Sequence, residues 1–190
     1  MCNRFKGPDD FDVIRATFDA RLAPDTGRLP EGELFPKRLG YVVRREAGER
    51  IIDVMRWGFP PPAAGRTPVT NVRNLSSPFW RSALARPDRR CLVPAVEFCE
   101  WAGEKGSKKE HWFSVPSQPI FAFAGIWRPV ENERVFAFLT CEANPLVGAV
   151  HEKAMPVILH PENYDHWLDG DTDSACSLAG AFPSQLMAMA

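Results

Sequence analysis

Proline sets the first limit on what this chain can build. Eighteen prolines are spread through 190 residues. Each fixes φ and removes a main-chain donor, so the fold must be rich in loops and short elements. Between the prolines lie short β-like runs. Residues 39–45 and 50–57 are two of them, joined at the turn-prone Ala47-Gly48. Residues 90–101, 111–115, 120–127, 134–140 and 155–159 read as further strands. Helical signals are fewer. Residues 9–20 place Phe11, Ile14 and Phe18 on one face. Ser77-Pro78 starts a helix over 78–85, with Trp80 and Leu84 inward, because serine caps and proline suits the first position. Residues 144–150 read as a short helix, and His160-Pro161 leads into an amphipathic helix holding Tyr164, Trp167 and Leu168. Residues 23–36 read as loop and residues 103–110 as an exposed hairpin loop. This pattern predicts one α+β domain over residues 1–190, with a mainly antiparallel sheet or open barrel-like core and short peripheral helices. Strand–helix alternation is poor and no Gly-rich loop follows a strand, which argues against a doubly wound sheet.

Composition narrows the function classes. The first ten residues, MCNRFKGPDD, lack the apolar region of a secretory signal. No run approaches the apolar length of a membrane span. The expectation is a cytoplasmic monomer with no membrane partner. The five cysteines are odd in number and widely spaced, which predicts reduced thiols and no disulfide framework. No CxxC pair occurs, and His160 and His166 lack a partner at zinc spacing, so neither a metal nor a cofactor is expected. A formal net charge of −1 conceals an asymmetry. Arg66, Arg73, Arg81, Arg86, Arg89 and Arg90 share their stretch with one acid, Asp88, whereas the last thirty residues carry acids and no Lys or Arg. A local basic face can meet phosphates on a protein that is near neutral overall. Indiscriminate duplex binding, which goes with a large positive charge, is not expected.

Cys2 directly follows Met1. Initiator methionine is commonly trimmed when the next residue is small. Trimming here leaves a cysteine with a free α-amine and a free thiol on adjacent carbons. Such a 1,2-aminothiol traps aldehydes: the amine condenses to a Schiff base, and the sulfur closes onto the same carbon as a five-membered thiazolidine. Neither group needs extreme activation, since an α-amine titrates near ~7.7–8.0 and a thiol near ~8.5.

Four segments stand out together: Met1-Cys2-Asn3-Arg4-Phe5; Thr70-Asn71-Val72-Arg73; Arg90-Cys91-Leu92-Val93-Pro94 running on to Phe98-Cys99-Glu100-Trp101; and Val150-His151-Glu152-Lys153-Ala154-Met155-Pro156-Val157-Ile158-Leu159. In that order the chain resembles the SOS-response-associated peptidase family, whose members crosslink to abasic sites in single-stranded DNA. The resemblance runs from about Met1 to Leu168. It implies Cys2 as nucleophile and Asn71, Glu100 and His151 as its catalytic partners. It implies Arg4, Arg73 and Lys153 as DNA contacts, single-stranded DNA containing abasic sites as partner, removal of Met1 aided by the protein itself, and slow release of the crosslink through Glu100 and His151. The chain departs from the family pattern in places. Asn3 stands where glycine is usual, the glutamate after the Asn-x-Arg motif is absent, and the family's Asn-x-Ala-Pro segment is reduced to Phe35-Pro36. The stretch from His151 to Pro156 is one residue longer than in some members.

These residue types suit the implied chemistry. An abasic sugar is mostly a closed hemiacetal, and opening it needs one proton delivered to the ring oxygen and one removed from the hydroxyl. A desolvated Glu100 is a usable acid near neutral pH, His151 is a base or proton shuttle, and Asn71 can hold the amine or the sugar. Two other readings use the same residues. One is a cysteine hydrolase or peptidase using Cys2 with His151, oriented by Glu100 or Asn71. The other is a non-catalytic nucleic-acid binder using the arginine face. The six tryptophans are expected to be mostly core, with at most one touching a base.

Overall fold

The computed structural model describes residues 2–24, 26–29, 32–63, 66–104 and 106–190. The expected removal of Met1, part of the 23–36 loop and one position of the 103–110 loop fall outside the described residues.

The prolines do cut the chain into short pieces. In order these are β1 (Phe5–Lys6), α1 (Phe11–Phe18), β2 (Arg21–Leu22), β3 (Glu33–Leu34), β4 (Leu39–Glu46), β5 (Glu49–Trp57), β6 (Asn71–Val72), α2 (Pro78–Leu84), β7 (Arg90–Ala95), β8 (Glu97–Ala102), β9 (Lys109–Ser114), β10 (Phe121–Val130), β11 (Glu133–Cys141), α3 (Pro145–Gly148), β12 (Met155–Pro156), β13 (Ile158–Leu159), α4 (Tyr164–Asp169), α5 (Thr172–Cys176) and β14 (Ala188–Met189). One sheet runs β14-β9-β8-β1-β3, and its pairings are all antiparallel. The second runs β12-β11-β10-β7-β4-β5-β2 with β13 on β10 and β6 on β11. Most of its pairings are antiparallel; β5 and β6 run parallel to β11, and β2 runs parallel to β5. The expected α+β architecture is the one observed.

Two apolar clusters explain the layering. Strand side chains alternate between faces. Phe5, Phe98 and Phe113 of the first sheet meet Val42, Trp57, Val93, Phe123, Phe136 and Phe138 of the second across a barrel-like interior. Phe5 sits edge-on to Trp57 at 5.1 Å, Phe123 at 5.6 Å and Phe138 at 5.9 Å, an arrangement favoured by the ring quadrupoles. The opposite face of the second sheet, with Val43, Ile52, Leu92, Ala124 and Leu139, is covered by Ile14, Phe18, Trp80, Leu84, Trp167 and Leu168 from the helices.

Local signals set the helix ends. The Asp10 side chain accepts from the amides of Asp12 and Val13 and starts α1, and Asp19 ends it at φ 45°. Ser77 caps α2 with Pro78 at its first position, as expected. Other boundaries differ from the sequence reading. Residues 90–101 form two strands in different sheets, β7 and β8, because the chain turns at Val96, whose amide donates to the Lys6 carbonyl. Lys109 and Glu110 belong to β9 rather than to the preceding loop. Residues 155–159 form two short pairings, one on β11 and one on β10.

Arg90 leaves the expected basic face. It is 1 % exposed, and its guanidinium donates to the carbonyls of Leu84 (3.1 Å), Trp167 (2.9 Å) and Gly170 (2.7 Å). It thereby clamps the C-terminal ends of α2 and α4 to β7. The acids of the final stretch also have a structural use: Asp165 pairs with Arg45 and Arg50, and Asp169 with Arg45. Replacing Arg90 with Met keeps the stem and strands three carbonyl contacts, two of them buried. Arg90→Met is expected to lower the unfolding free energy by about 3 kcal/mol, read as a lower urea midpoint with an unchanged slope.

Candidate active site

At one end of the interior the chain brings together residues from four distant segments. Cys2 enters as part of the interior cluster and is 0 % exposed. Two contacts fix it. Asn71 Nδ2 donates to the Cys2 carbonyl at 2.9 Å, and the Cys2 thiol donates to the Arg4 carbonyl at 3.5 Å. The same Arg4 carbonyl accepts the Cys99 amide at 3.0 Å, which ties the N-terminal segment to β8. Burial pushes the Cys2 thiol up, and the charge of Glu100 adds to that.

Asn71 is placed by β6, which pairs parallel to β11 with Asn71 opposite Phe138. Val72 faces the helix layer, so Asn71 faces the interior. Glu100 lies two positions after Phe98 on β8 and shares its inward face. It is 3 % exposed, and desolvation holds its carboxyl above the usual carboxylate range, only partly offset by the nearby His151. His151 follows α3. Asn144 caps that helix through Oδ1 to the Val147 amide at 2.9 Å, while its Nδ2 donates to the Phe182 carbonyl at 2.7 Å. The His151 amide then donates to the Val147 carbonyl at 2.8 Å. His151 Nδ1 stands 3.8 Å from Glu100 Oε2 and 3.0 Å from the Ala154 carbonyl.

Asn71 Oδ1, Glu100 Oε1 and Thr140 Oγ1 are buried with no hydrogen-bond partner among the described residues. A buried polar group left this way costs about 1–3 kcal/mol. Two of these, on Asn71 and Glu100, belong to residues beside Cys2, where a polar ligand can satisfy them. Thr140 was not among the sequence candidates. It lies on β11 in step with the inward-facing Phe136 and Phe138, a relation legible only once the register is known. Asn144 was likewise missed: its cap on Val147 is local, but the Phe182 carbonyl that its Nδ2 also holds lies 38 residues away.

The expected DNA contacts differ in character. Lys153 is exposed. Arg73 has a side chain 42 % exposed and approaches Glu142 at 3.9 Å. The Arg4 side chain is 14 % exposed. Its Nε donates to Glu33 at 2.5 Å and its Nη1 to Glu110 at 2.6 Å, and its guanidinium lies against Phe35, Trp101 and Trp112. Trp57, Trp80, Trp127 and Trp167 are buried, leaving Trp101 and Trp112 partly open on the outer face of the first sheet. All five cysteines are free. Among the described residues no cluster of His, Cys, Asp or Glu is arranged to hold a metal ion, and no helix is long and apolar enough to cross a membrane.

Comparison with known proteins adds five findings. The family profile for SOS response associated peptidase (SRAP) matches residues 1–190. The abasic site processing protein YoqW of Bacillus subtilis is 28% identical over 183 residues, covering 89% of this chain and 80% of that protein. The abasic site processing protein HMCES of Gallus gallus is 24% identical over 188 residues, covering 80% of this chain and 55% of that protein. Among solved structures, a protein from Bordetella bronchiseptica matches with a TM-score of 0.84 at 23% identity over 100% of this chain and 98% of that one. A protein from Bacteroides thetaiotaomicron matches at 0.81 and 19% identity, over 99% and 90%.

The raised Glu100 carboxyl carries a pH signature. The native state holds this proton more tightly than the unfolded chain, so the contribution of Glu100 to stability falls as pH rises from the ordinary carboxylate value through the raised native one. Glu100→Gln is neutral at every pH. It is expected to unfold at higher urea than the parent at about pH 7 and to lose that advantage by about pH 4. A variant less stable than the parent at the higher pH contradicts the desolvated carboxyl.

Proposed function

The chain belongs to the SOS response associated peptidase family, and we propose that it captures abasic sites in single-stranded DNA as a covalent thiazolidine on Cys2 after Met1 is removed. The reading is carried by the pinned Cys2: its carbonyl is held by Asn71, and Glu100 and His151 stand at the same end of the interior. The named relatives, abasic site processing proteins, support the substrate.

The chemistry follows from the groups present. Glu100 in its acid form delivers a proton to the sugar ring oxygen while His151 takes the hydroxyl proton, which frees the aldehyde. The Cys2 α-amine adds to the aldehyde carbon, and the carbinolamine loses water to give the Schiff base. The Cys2 sulfur then adds to the imine carbon, and the thiol proton ends on the nitrogen. One water leaves overall, nothing is oxidised or reduced, and no cofactor is consumed. Burial favours this order of events. A thiol pushed up in pKa is a poor first nucleophile, so the amine acts first and the sulfur closes the ring. The same fact weighs against a cysteine hydrolase, which needs a thiolate at the start. The shielded adduct, its slow release through Glu100 and His151, and self-assisted loss of Met1 are parts of the same proposal.

Binding draws on Arg73 and Lys153, which are exposed and close in sequence to Asn71 and His151. For Arg4 to reach a phosphate, Glu33 or Glu110 must yield its place. The protein is taken to act as a cytoplasmic monomer.

The test is single-stranded DNA carrying one abasic site, analysed on a denaturing gel. The trimmed protein is expected to give a slow-migrating species. Cys2→Ala, or a residue retained ahead of Cys2, is expected to abolish it, and Glu100→Gln or His151→Ala to slow it by ~10²–10⁴-fold. Unaltered, salt-sensitive DNA retention by Cys2→Ala with no gel-stable species would leave a non-catalytic binder. Cleavage of added peptides with the α-amine blocked would leave a hydrolase. Arg73→Ala and Lys153→Ala are each expected to reduce the slope of log affinity against log salt by about 0.7 on single-stranded DNA.

A further inference from the structure

Residues 182–190 reach both halves of the site. At one end they meet α3. Asn144 is 5 % exposed, and its Oδ1 accepts the Val147 amide at 2.9 Å as the cap of that helix. Its Nδ2 turns the other way, donating to the Phe182 carbonyl at 2.7 Å and lying 3.1 Å from the Met187 sulfur. Phe182 is buried in the interior cluster and stacks on His160 at 4.5 Å. At the other end, β14 pairs with β9, Ala188 opposite Ser114 and Met189 opposite Phe113. Ala190 and Trp112 exchange both main-chain bonds, at 2.9 and 3.2 Å. β9 in turn pairs with β8, with His111 opposite Glu100. Among the described residues no ladder joins β8, β9 or β14 to β11 or β12, and residues 182–190 cross that gap.

We infer that residues 182–190 form a clasp that positions His151 against Glu100, with Asn144 as the positioning residue on α3. Glu100 belongs to the first sheet, whereas His151 lies between α3 and β12 of the second. Their 3.8 Å separation therefore depends on how α3 is held relative to β9. Apolar burial of Phe182 and Met187 seats the clasp but is non-directional. The Asn144 bond and the β14–β9 ladder are directional, so they set orientation as well as distance. In an acid–base site a shift of about 1 Å can cost ~10²-fold in rate.

The role in capture rests on the function proposed above; the hold on α3 does not, and the two are read separately. Asn144→Ser keeps a helix cap, since serine serves as well as asparagine there, but loses the amide that holds Phe182. Ala188→Pro breaks the far end. Closely spaced ladder bonds recur at every second residue, so the Ala188 amide faces Ser114 as Ala190 faces Trp112, and proline removes that donor. If Ala188→Pro fails to fold, Ala190→Pro, which removes the 2.9 Å bond to Trp112, takes its place. The first readout is amide hydrogen exchange without DNA. Both lesions are expected to speed exchange by about tenfold at Gly148, Val150 and His151, whose amides bond to the Asn144 and Val147 carbonyls. Unchanged exchange there in the proline variant overturns the clasp. The second readout is capture of abasic single-stranded DNA at saturating protein. Each variant is expected to slow it about tenfold, and the double variant no further, because both lesions cut one connection. Affinity for DNA carrying a tetrahydrofuran abasic analogue, which has no aldehyde to react, is expected to stay within about twofold. A parental capture rate, additive losses or a loss confined to affinity overturns the positioning role. If the parent protein captures no abasic DNA, the proposed function fails and the exchange result still decides whether residues 182–190 hold α3.

Discussion

The hydrogen bond from Asn71 to the Cys2 carbonyl is the contact on which the site depends. A chain terminus is ordinarily mobile, and a mobile nucleophile surrenders the advantage of pre-set orientation. Here the second residue is drawn inside the fold and tied to a two-residue strand. Asn71 can do this because β6 runs beside β11 in register, with Asn71 opposite Phe138. The Arg4 carbonyl completes the anchorage by accepting from both Cys2 and Cys99. The aromatic packing of Phe5 against Trp57, Phe123 and Phe138 holds the strand that follows. The interior that stabilises the barrel is thus also the wall of the site.

That placement determines the electrostatics. The apolar surroundings that stabilise the fold raise both the Cys2 thiol and the Glu100 carboxyl. For the carboxyl this favours the protonated form, which is the form that can donate a proton. For the thiol the same burial disfavours the nucleophilic thiolate. The unpartnered oxygens of Asn71, Glu100 and Thr140 belong to the same economy of polar groups: they are tolerated where a ligand's hydrogens or hydroxyls can satisfy them. Arg4 contrasts with them, because two carboxylates and three rings already satisfy its charge.

Much of this was readable beforehand, and the exceptions have physical causes. The strands at 39–46, 49–57, 121–130 and 133–141 are long enough for β-branched and aromatic runs to declare themselves. The two-residue strands β1, β2, β3, β6, β12, β13 and β14 are too short to carry any period. The run through Arg90–Trp101 looked continuous because its residues are buried on both sides of the bend at Val96. Arg90 looked like a surface cation because the three carbonyls it grips lie up to eighty residues away. Cys2, Asn71, Glu100 and His151 were proposed from their order along the chain, and the fold brings the four close together. Thr140 and Asn144 were not found, since a lone Thr at a strand end and a lone Asn before Pro are common. The acids around Arg4 were equally hidden, because Glu33 and Glu110 lie 29 and 106 residues from it.

The central claim is that a terminal amine and a neighbouring sulfur close a ring on the aldehyde of a damaged sugar. Intact mass spectrometry of the trimmed protein, before and after incubation with single-stranded DNA bearing one abasic site, tests it most directly. The account predicts an adduct equal to protein plus DNA less one water, with a mass unchanged by borohydride because no imine remains. A trimmed sample that stays free, or an adduct that gains two hydrogens on reduction, contradicts it.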